Sequence, residues 1–413
     1  MLFDPSRHET LCNIEWDEVA VRKAITQIVA DTEACFTSDR YWPSHLNDRG
    51  ANDPEDELFT PLYFGALGIV WSLNYLQDLG AVRLDRSYQS YLEPLQLLNR
   101  DWLSSNIPTE SGSYLMGDTP FLLINCGKDT ATSEDFDTLA ELIESNIEHP
   151  ARELMWGSPG TLLAALVMHR LTGNERWAVL FRKTARKLWS QLIWSEEHQC
   201  HYWTQELYGQ QSSYLGGVHS FVATASPLIG GRHLLPLNEW ADWEQCIANT
   251  ILRTSSSEDG QVNWRAMLIS KTGSKYRYLM QFCHGAPGFI ICLADIPGSE
   301  LNSLLLAAGE TIWNAGPLSK GSNLCHGTGG NGYAFLKLYQ RTGNELWLHR
   351  ARSFAMHGIK QTLSDAKKFG QYRYSLWTGD LGFAIYLWDC LNGTASFPTL
   401  DGFFAPKLPV ASK

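Results

Sequence analysis

Lysine and arginine never gather into a block in this 413-residue chain, and acidic residues outnumber basic ones 44 to 33, for a formal charge of −11. Phosphate contacts require clustered cations, so nucleic acid is excluded as a partner. The nine cysteines are odd in number and scattered, which excludes a disulfide framework. The opening MLFDPSRHET has neither the basic nor the apolar region of a secretory signal, and a cytoplasmic protein is expected. The longest uncharged run, Leu58 to Gln77, has the length of a membrane span but carries Thr60, Pro61, Gly65, Gly68, Ser72 and Asn74. It reads as a buried helix, and no transmembrane segment is expected. Alternating strand patterns are scarce, which predicts an all-α chain.

What the sequence does contain is a repeat. A small-x-x-small motif followed by an apolar run recurs seven times, beginning at Gly65, Gly117, Gly157, Ser220, Gly285, Gly327 and Gly379. Glycine is common here, 34 residues, so the motif alone is weak evidence, and a second signal decides. Fifteen residues after Gly157 stands Thr172-Gly-Asn-Glu-Arg-Trp177, and fifteen after Gly327 stands Thr342-Gly-Asn-Glu-Leu-Trp347. One unit is therefore an apolar helix (Thr161 to Leu171), a Thr-Gly-Asn turn and an amphipathic helix. In the latter, Leu180, Phe181, Leu188 and Leu192 form one stripe. Further one-sided helices are predicted over Trp16 to Cys35, Glu300 to Trp313 and Glu345 to Leu363. Buried and solvent-facing helices in alternation predict a double-layered helical toroid that forms one domain over 1–413, with repeats across 16–392. Each glycine motif starts an inner helix, where small side chains let backbones converge and free N–H groups are expected to face a central pocket.

Two motif copies follow a Cys-His pair: Cys283-His284 in QFCHGAPGFIICL and Cys325-His326 in NLCHGTGGNGYAFLKLY. Thiolates and imidazoles are the ligands zinc prefers. A single Cys-His pair reads as buried core; two in one repeated context point to a metal. The spacing fits no short structural zinc module, so tertiary folding must gather the ligands, which favours a catalytic site. Cys12, Cys35, Cys126, Cys200, Cys246, Cys292 and Cys390 have no such neighbours and read as buried thiols.

The succession FCHGAPG, LCHGTGGNGYAFL and SLWTGDLG, with seven glycine motifs, resembles the LanC-like proteins, relatives of the lanthipeptide cyclases. The resemblance covers about residues 16 to 392. It implies an (α/α)7 barrel and one zinc ion held by two cysteines and a histidine, here Cys283, Cys325 and His326. The implied chemistry is addition of a thiol to a dehydroalanine or dehydrobutyrine residue, for which zinc stabilises the thiolate and an acid must protonate the α-carbon. His219 and His284 compete for that role, and His219 matches the family histidine proposed for it. Glu153 matches an acidic position that orients or charges a histidine; its alternative is a solvated carboxylate at a helix start. Lys320 matches a lysine implicated in glutathione binding, and Lys368 is a second candidate for that anion pocket; the alternative for each is the surface.

Three departures bear on this reading: Ser220 replaces a motif glycine, Thr378 stands where the family often has an acid, and His284 stands where the cyclases often carry tyrosine. The last tilts the expectation from ring closure toward zinc-dependent addition of glutathione, or another small thiol, to dehydroamino acids in a protein or peptide. Two rivals are a standalone cyclase closing thioether rings, and a zinc-containing glutathione- or peptide-binding protein without turnover. The stretch Thr37 to Glu57 reads either as a lid or as an ordered loop.

Overall fold

The structure is a computed structural model, and it describes residues 1–55, 57–106, 112–269 and 278–406. Among these residues are fourteen α-helices in seven pairs: α1 (Glu18–Ala34) and α2 (Ala66–Asp78), α3 (Leu92–Asn106) and α4 (Thr119–Cys126), α5 (Ser133–Ser145) and α6 (Ser158–Thr172), α7 (Glu175–Ser190) and α8 (Phe221–Gly230), α9 (Leu237–Thr254) and α10 (Ala286–Leu293), α11 (Asn302–Ala315) and α12 (Thr328–Thr342), α13 (Glu345–Phe369) and α14 (Asp380–Asn392). The odd-numbered helices bury one face and the even-numbered ones are buried nearly all round, as the two hydrophobic patterns predict. α14 packs on α1, which closes the ring as an (α/α)7 toroid. The uncharged run Leu58–Gln77 ends in the buried helix α2, and no described helix is long and apolar enough to cross a membrane.

The turn grammar repeats in detail. Gly173 and Gly343 end α6 and α12 in the left-handed region, at φ 66° and 67°, where glycine carries no Cβ penalty. Asn174 and Asn344 then cap α7 and α13, each accepting one backbone N–H through its side chain at 3.0 Å. α13 runs six residues past the expected Leu363, to the left-handed stop at Gly370.

The helical expectation holds, with three small antiparallel hairpins added among the described residues, pairing Ile193–Ser195 with Cys200–Tyr202, Gln205–Leu207 with Gln210–Ser212, and Ser255–Glu258 with Gln261–Trp264. Two of them turn on Tyr208-Gly209 and Asp259-Gly260, with both residues at positive φ. Asp-Gly was a legible hairpin signal. One expectation is corrected: the first N–H groups of the inner helices are not free. In the sixth repeat Thr328, Gly329 and Gly330 donate to the carbonyls of Gly321, Ser322 and Asn323. Gly330 is required for that embrace, because a Cβ there would lie 1.9 Å from the Leu324 oxygen.

The loops before the inner helices form a closed belt. Tyr63 N–H donates to Leu115 O, Leu115 to Met155, Leu154 to Val218, Gly217 to Cys283, Cys283 to Cys325, Cys325 to Trp377, and Trp377 back to Tyr63, at 2.9 to 3.3 Å. Seven hydrogen bonds thus join seven repeats. This belt brings together positions far apart in sequence.

Candidate functional site

Cys283 and Cys325 occupy the same belt position in adjacent repeats, and the Cys283 N–H donates to the Cys325 carbonyl at 3.2 Å. Their side chains meet: the Cys325 thiol shares a hydrogen bond with the Cys283 sulfur, and neither residue is in a disulfide. That bond lowers the Cys283 pKa against its burial, with help from the Gln281 amide, His219 and Lys320. Cys325, the donor of the pair, is correspondingly pushed up.

Three residues around these sulfurs escaped the sequence reading. Tyr63 O–H lies 2.8 Å from the Cys325 sulfur, and burial raises its pKa so that it stays a donor. Gln281 Nε2 donates to the Cys283 sulfur at 2.9 Å, while its Oε1 accepts from Arg7 Nη2 at 2.9 Å. Arg7 arrives on the N-terminal arm, which is pinned by Ser319 N–H donating to the Arg7 carbonyl. Tyr63 had a signal: Tyr63-Phe64-Gly65 holds the register of Cys325-His326-Gly327. Arg7 and Gln281 had none, since neither lies in a repeated motif position.

His219 stands at the belt position after Val218, and its Nδ1 is 2.7 Å from Glu153 Oε2. The Glu153 carboxylate is wholly buried and also accepts the N–H groups of Met155 and Trp156, at 3.0 and 2.5 Å. The solvated helix-start alternative for Glu153 is therefore set aside. Burial disfavours charge on His219, but the Glu153 carboxylate outweighs it and the net pKa is raised, with the Cys283 sulfur acting in the same direction. His284 is the opposite case. Its ring lies 5.3 Å from that of Tyr214, its buried Nδ1 has no hydrogen-bond partner among the described residues, and burial, then His219, lowers its pKa to about 4. The two histidines are thus pushed in opposite directions, His284 toward the neutral imidazole and His219 toward the protonated form.

His326 lines a cavity of about 340 Å³ together with Lys320, Lys368, Arg373 and Asp365. Lys368 lies with its ammonium 4.8 Å from the Phe369 ring centre. The two lysines singled out from the sequence, 48 positions apart, thus share one cavity with His326. Burial, with Arg373 and Lys320 nearby, lowers the His326 pKa to about 4, leaving the neutral imidazole that a metal requires. The donor set of two mutually bonded thiols, Cys325 buried and Cys283 half-buried, with a neutral imidazole suits a thiophilic cation such as zinc. Among the described residues no group of three His, Cys, Asp or Glu side chains is drawn together closely enough to hold a metal.

Thr378, where an acid was expected, holds one instead: its hydroxyl donates to Asp48 Oδ1 at 2.8 Å. Of the cysteines read as core, Cys126, Cys200, Cys246, Cys292 and Cys390 are buried, whereas Cys12 and Cys35 are half-buried.

Residues 58–401 match the Lanthionine synthetase C-like protein family. Over 135 residues, 30% of this chain and 31% of the relative, the sequence is 34% identical to Glutathione S-transferase LANCL1 of Danio rerio. Over 118 residues, 27% of each, it is 34% identical to LanC-like protein GCL1 of Arabidopsis thaliana. The matched stretches thus span less than a third of these curated relatives. Among solved structures, nisin cyclase superposes over 91% of this chain and 95% of its own, with a TM-score of 0.58 at 15% identity, a likeness of fold. With the seven-repeat toroid, the belt and the paired Cys-His motifs in place, the chain belongs to the Lanthionine synthetase C-like protein family.

Proposed function

We propose that this protein adds a small anionic thiol, glutathione or a close analogue, to dehydroalanine or dehydrobutyrine residues of a protein or peptide, with the help of one zinc ion. The observation that carries the reading is the convergence on one belt of the Cys283–Cys325 pair, the Glu153–His219 pair and the Lys320–Lys368 cavity. The residues that would hold zinc are Cys283, Cys325 and His326. Bound there, zinc would supply the positive charge that lets a thiol lose its proton near neutral pH.

The chain's own groups account for the rest. Lys320 and Lys368 attract the carboxylates of the thiol and fix its approach beside His326. Tyr63 and Gln281 donate to the two protein sulfurs, holding their orientation. The thiol sulfur forms a bond to the β-carbon as the C=C π pair moves toward the carbonyl. His219, charged beside Glu153, then gives its proton to the α-carbon, and the incoming thiol's proton restores the balance. Nothing leaves, so the product gains the mass of one thiol.

A relative's name supports glutathione, and a cavity lined by Lys320, Lys368 and Arg373 supports an anionic thiol. The test is mass spectrometry of the metal-analysed protein with glutathione and a dehydroalanine peptide, beside Cys325→Ala. The expected result is one added glutathione per dehydroalanine, lost at least about 100-fold in the variant together with zinc. Addition that survives the variant would sink the proposal. Failure with glutathione, but ring closure in a peptide carrying its own cysteines, would install the cyclase reading. Glutathione binding without turnover of either substrate would install the binding reading.

A further inference from the structure

Arg373 is the third cation of the Lys320–Lys368 cavity, yet its guanidinium is already occupied. Its Nε donates to Asp48 Oδ2 at 2.8 Å and its Nη2 to Asp48 Oδ1, a bidentate fork in which the two side chains are only 13% and 7% exposed. Asp48 comes from 325 positions away, on the segment whose sequence left lid and loop open.

The segment is anchored in its middle, after an exposed stretch at 37–40: Tyr41 and Trp42 are buried, Trp42 donates to Thr32 O at 2.7 Å, and the His45 ring sits edge-on to Phe369 at 4.7 Å. Beyond this anchor the chain is exposed again at Leu46, Asn47 and 50–55. From this exposed stretch a desolvated carboxylate reaches down to a cation beside His326. A carboxylate in that fork has the charge and planarity of the group the cavity attracts.

We propose that Asp48 is a built-in competitor for the anionic group of the ligand: the 46–55 stretch is a lid that keeps Arg373 neutralised until a ligand carboxylate takes the guanidinium and releases it. Asp48 thereby sets the anion affinity and selectivity of the pocket. The site can still bind an anion through Lys320 and Lys368 while latched, and gains a third cation when the latch opens. The identity of the natural ligand rests on the thiol-addition reading; the latch itself rests on charge and geometry alone.

The test is calorimetric titration of the full chain with sulfate, glutathione and cysteamine, a thiol without a carboxylate. Wild type, Asp48→Asn and the double variant Asp48→Asn/Arg373→Gln are compared. Asp48→Asn should bind sulfate and glutathione about five- to tenfold more tightly, should lose that gain in the double variant, and should leave cysteamine unchanged. Unchanged or weaker anion binding at an unaltered melting temperature would overturn the latch, as would a gain that persists without Arg373. Should Asp48→Asn fail to fold, Arg373→Gln alone decides: a several-fold loss of sulfate and glutathione supports the proposal and no loss sinks it. If neither thiol binds wild type, the thiol-addition reading falls while the sulfate comparison still judges the latch.

Discussion

Glu153 is a fully buried carboxylate with three partners, two backbone N–H groups and the His219 ring. Those bonds hold it in place and favour the charged form of His219. Because the His219 pKa is raised, the proton it would donate is retained to higher pH than on an ordinary histidine and is lost as pH climbs through the raised value. Glu153→Gln removes the attraction and leaves the burial, so the alkaline limb of the pH–rate profile should move to lower pH. His219→Gln should lower kcat about 100-fold or more while thiol binding measured by calorimetry stays intact. An unmoved pH limb in Glu153→Gln would refute the assignment of His219 as the acid. The pair stood in the sequence only as a resemblance, since 66 positions separate its members and no local pattern links them. Their meeting depends on the belt bond from Leu154 to Val218. Tyr63, Gln281 and Arg7 were passed over for a related reason: a tyrosine, an amide and an arginine signal chemistry only when a sulfur is seen beside them.

At the scale of the element, the repeat was legible because its grammar is local. A Thr-Gly-Asn turn fixes a left-handed stop and a side-chain cap within three residues, and both copies did so with the same geometry. Gly285 shows where that grammar is strained. It caps α10 at φ 102°, unlike the extended caps Gly65, Gly157, Gly327 and Gly379, and a Cβ there would lie 1.8 Å from the Leu279 carbonyl oxygen. Gly285→Ala should therefore cost about 3 kcal/mol or more in chemical denaturation. It should also disturb Cys283, two residues away, more than Gly173→Ala at a turn with open space disturbs anything in the site. Equal losses in the two variants would show that backbone conformation, and not the crowding, is what matters at Gly285.

For the whole molecule, the axis of the toroid is filled by the chain's own segment after α14. Phe397 stacks on Phe282 at 4.6 Å and packs against Tyr333 and Trp377. Tyr114 O–H donates to the Thr399 carbonyl, Arg170 to the Asp401 carbonyl and Trp71 to the Phe403 carbonyl, so one strand of chain ties together inner faces from across the ring. Lys337, buried on α12, answers the Asp401 carboxylate at 2.9 Å and Asp295 at 3.3 Å. Phe282 and Trp377 belong to the belt that carries the thiols, so this plug supports the site from beneath. Lys337→Ala leaves the half-buried Asp401 carboxylate without its cation and should destabilise the fold by about 2 to 4 kcal/mol, read by urea denaturation. A loss below about 1 kcal/mol would mean that the packing of Phe397 and Phe403 holds the plug unaided.

The sequence by itself determined the seven units, the order of buried and exposed helices and the two Cys-His turns, because periodicity, turn residues and capping act over a few neighbouring positions. It also marked the residues that the resemblance names, His219, Glu153, Lys320 and Lys368, without placing them. Only the tertiary structure decided which side chains share a cavity, which histidine is pushed toward its protonated form, that Tyr63 reaches Cys325 across 262 positions and that Asp48 reaches Arg373 across 325. The physical reason is ring closure. Once seven hydrogen bonds join the loops into one belt, distance along the chain ceases to matter, and charge, burial and hydrogen bonding between repeats set the chemistry.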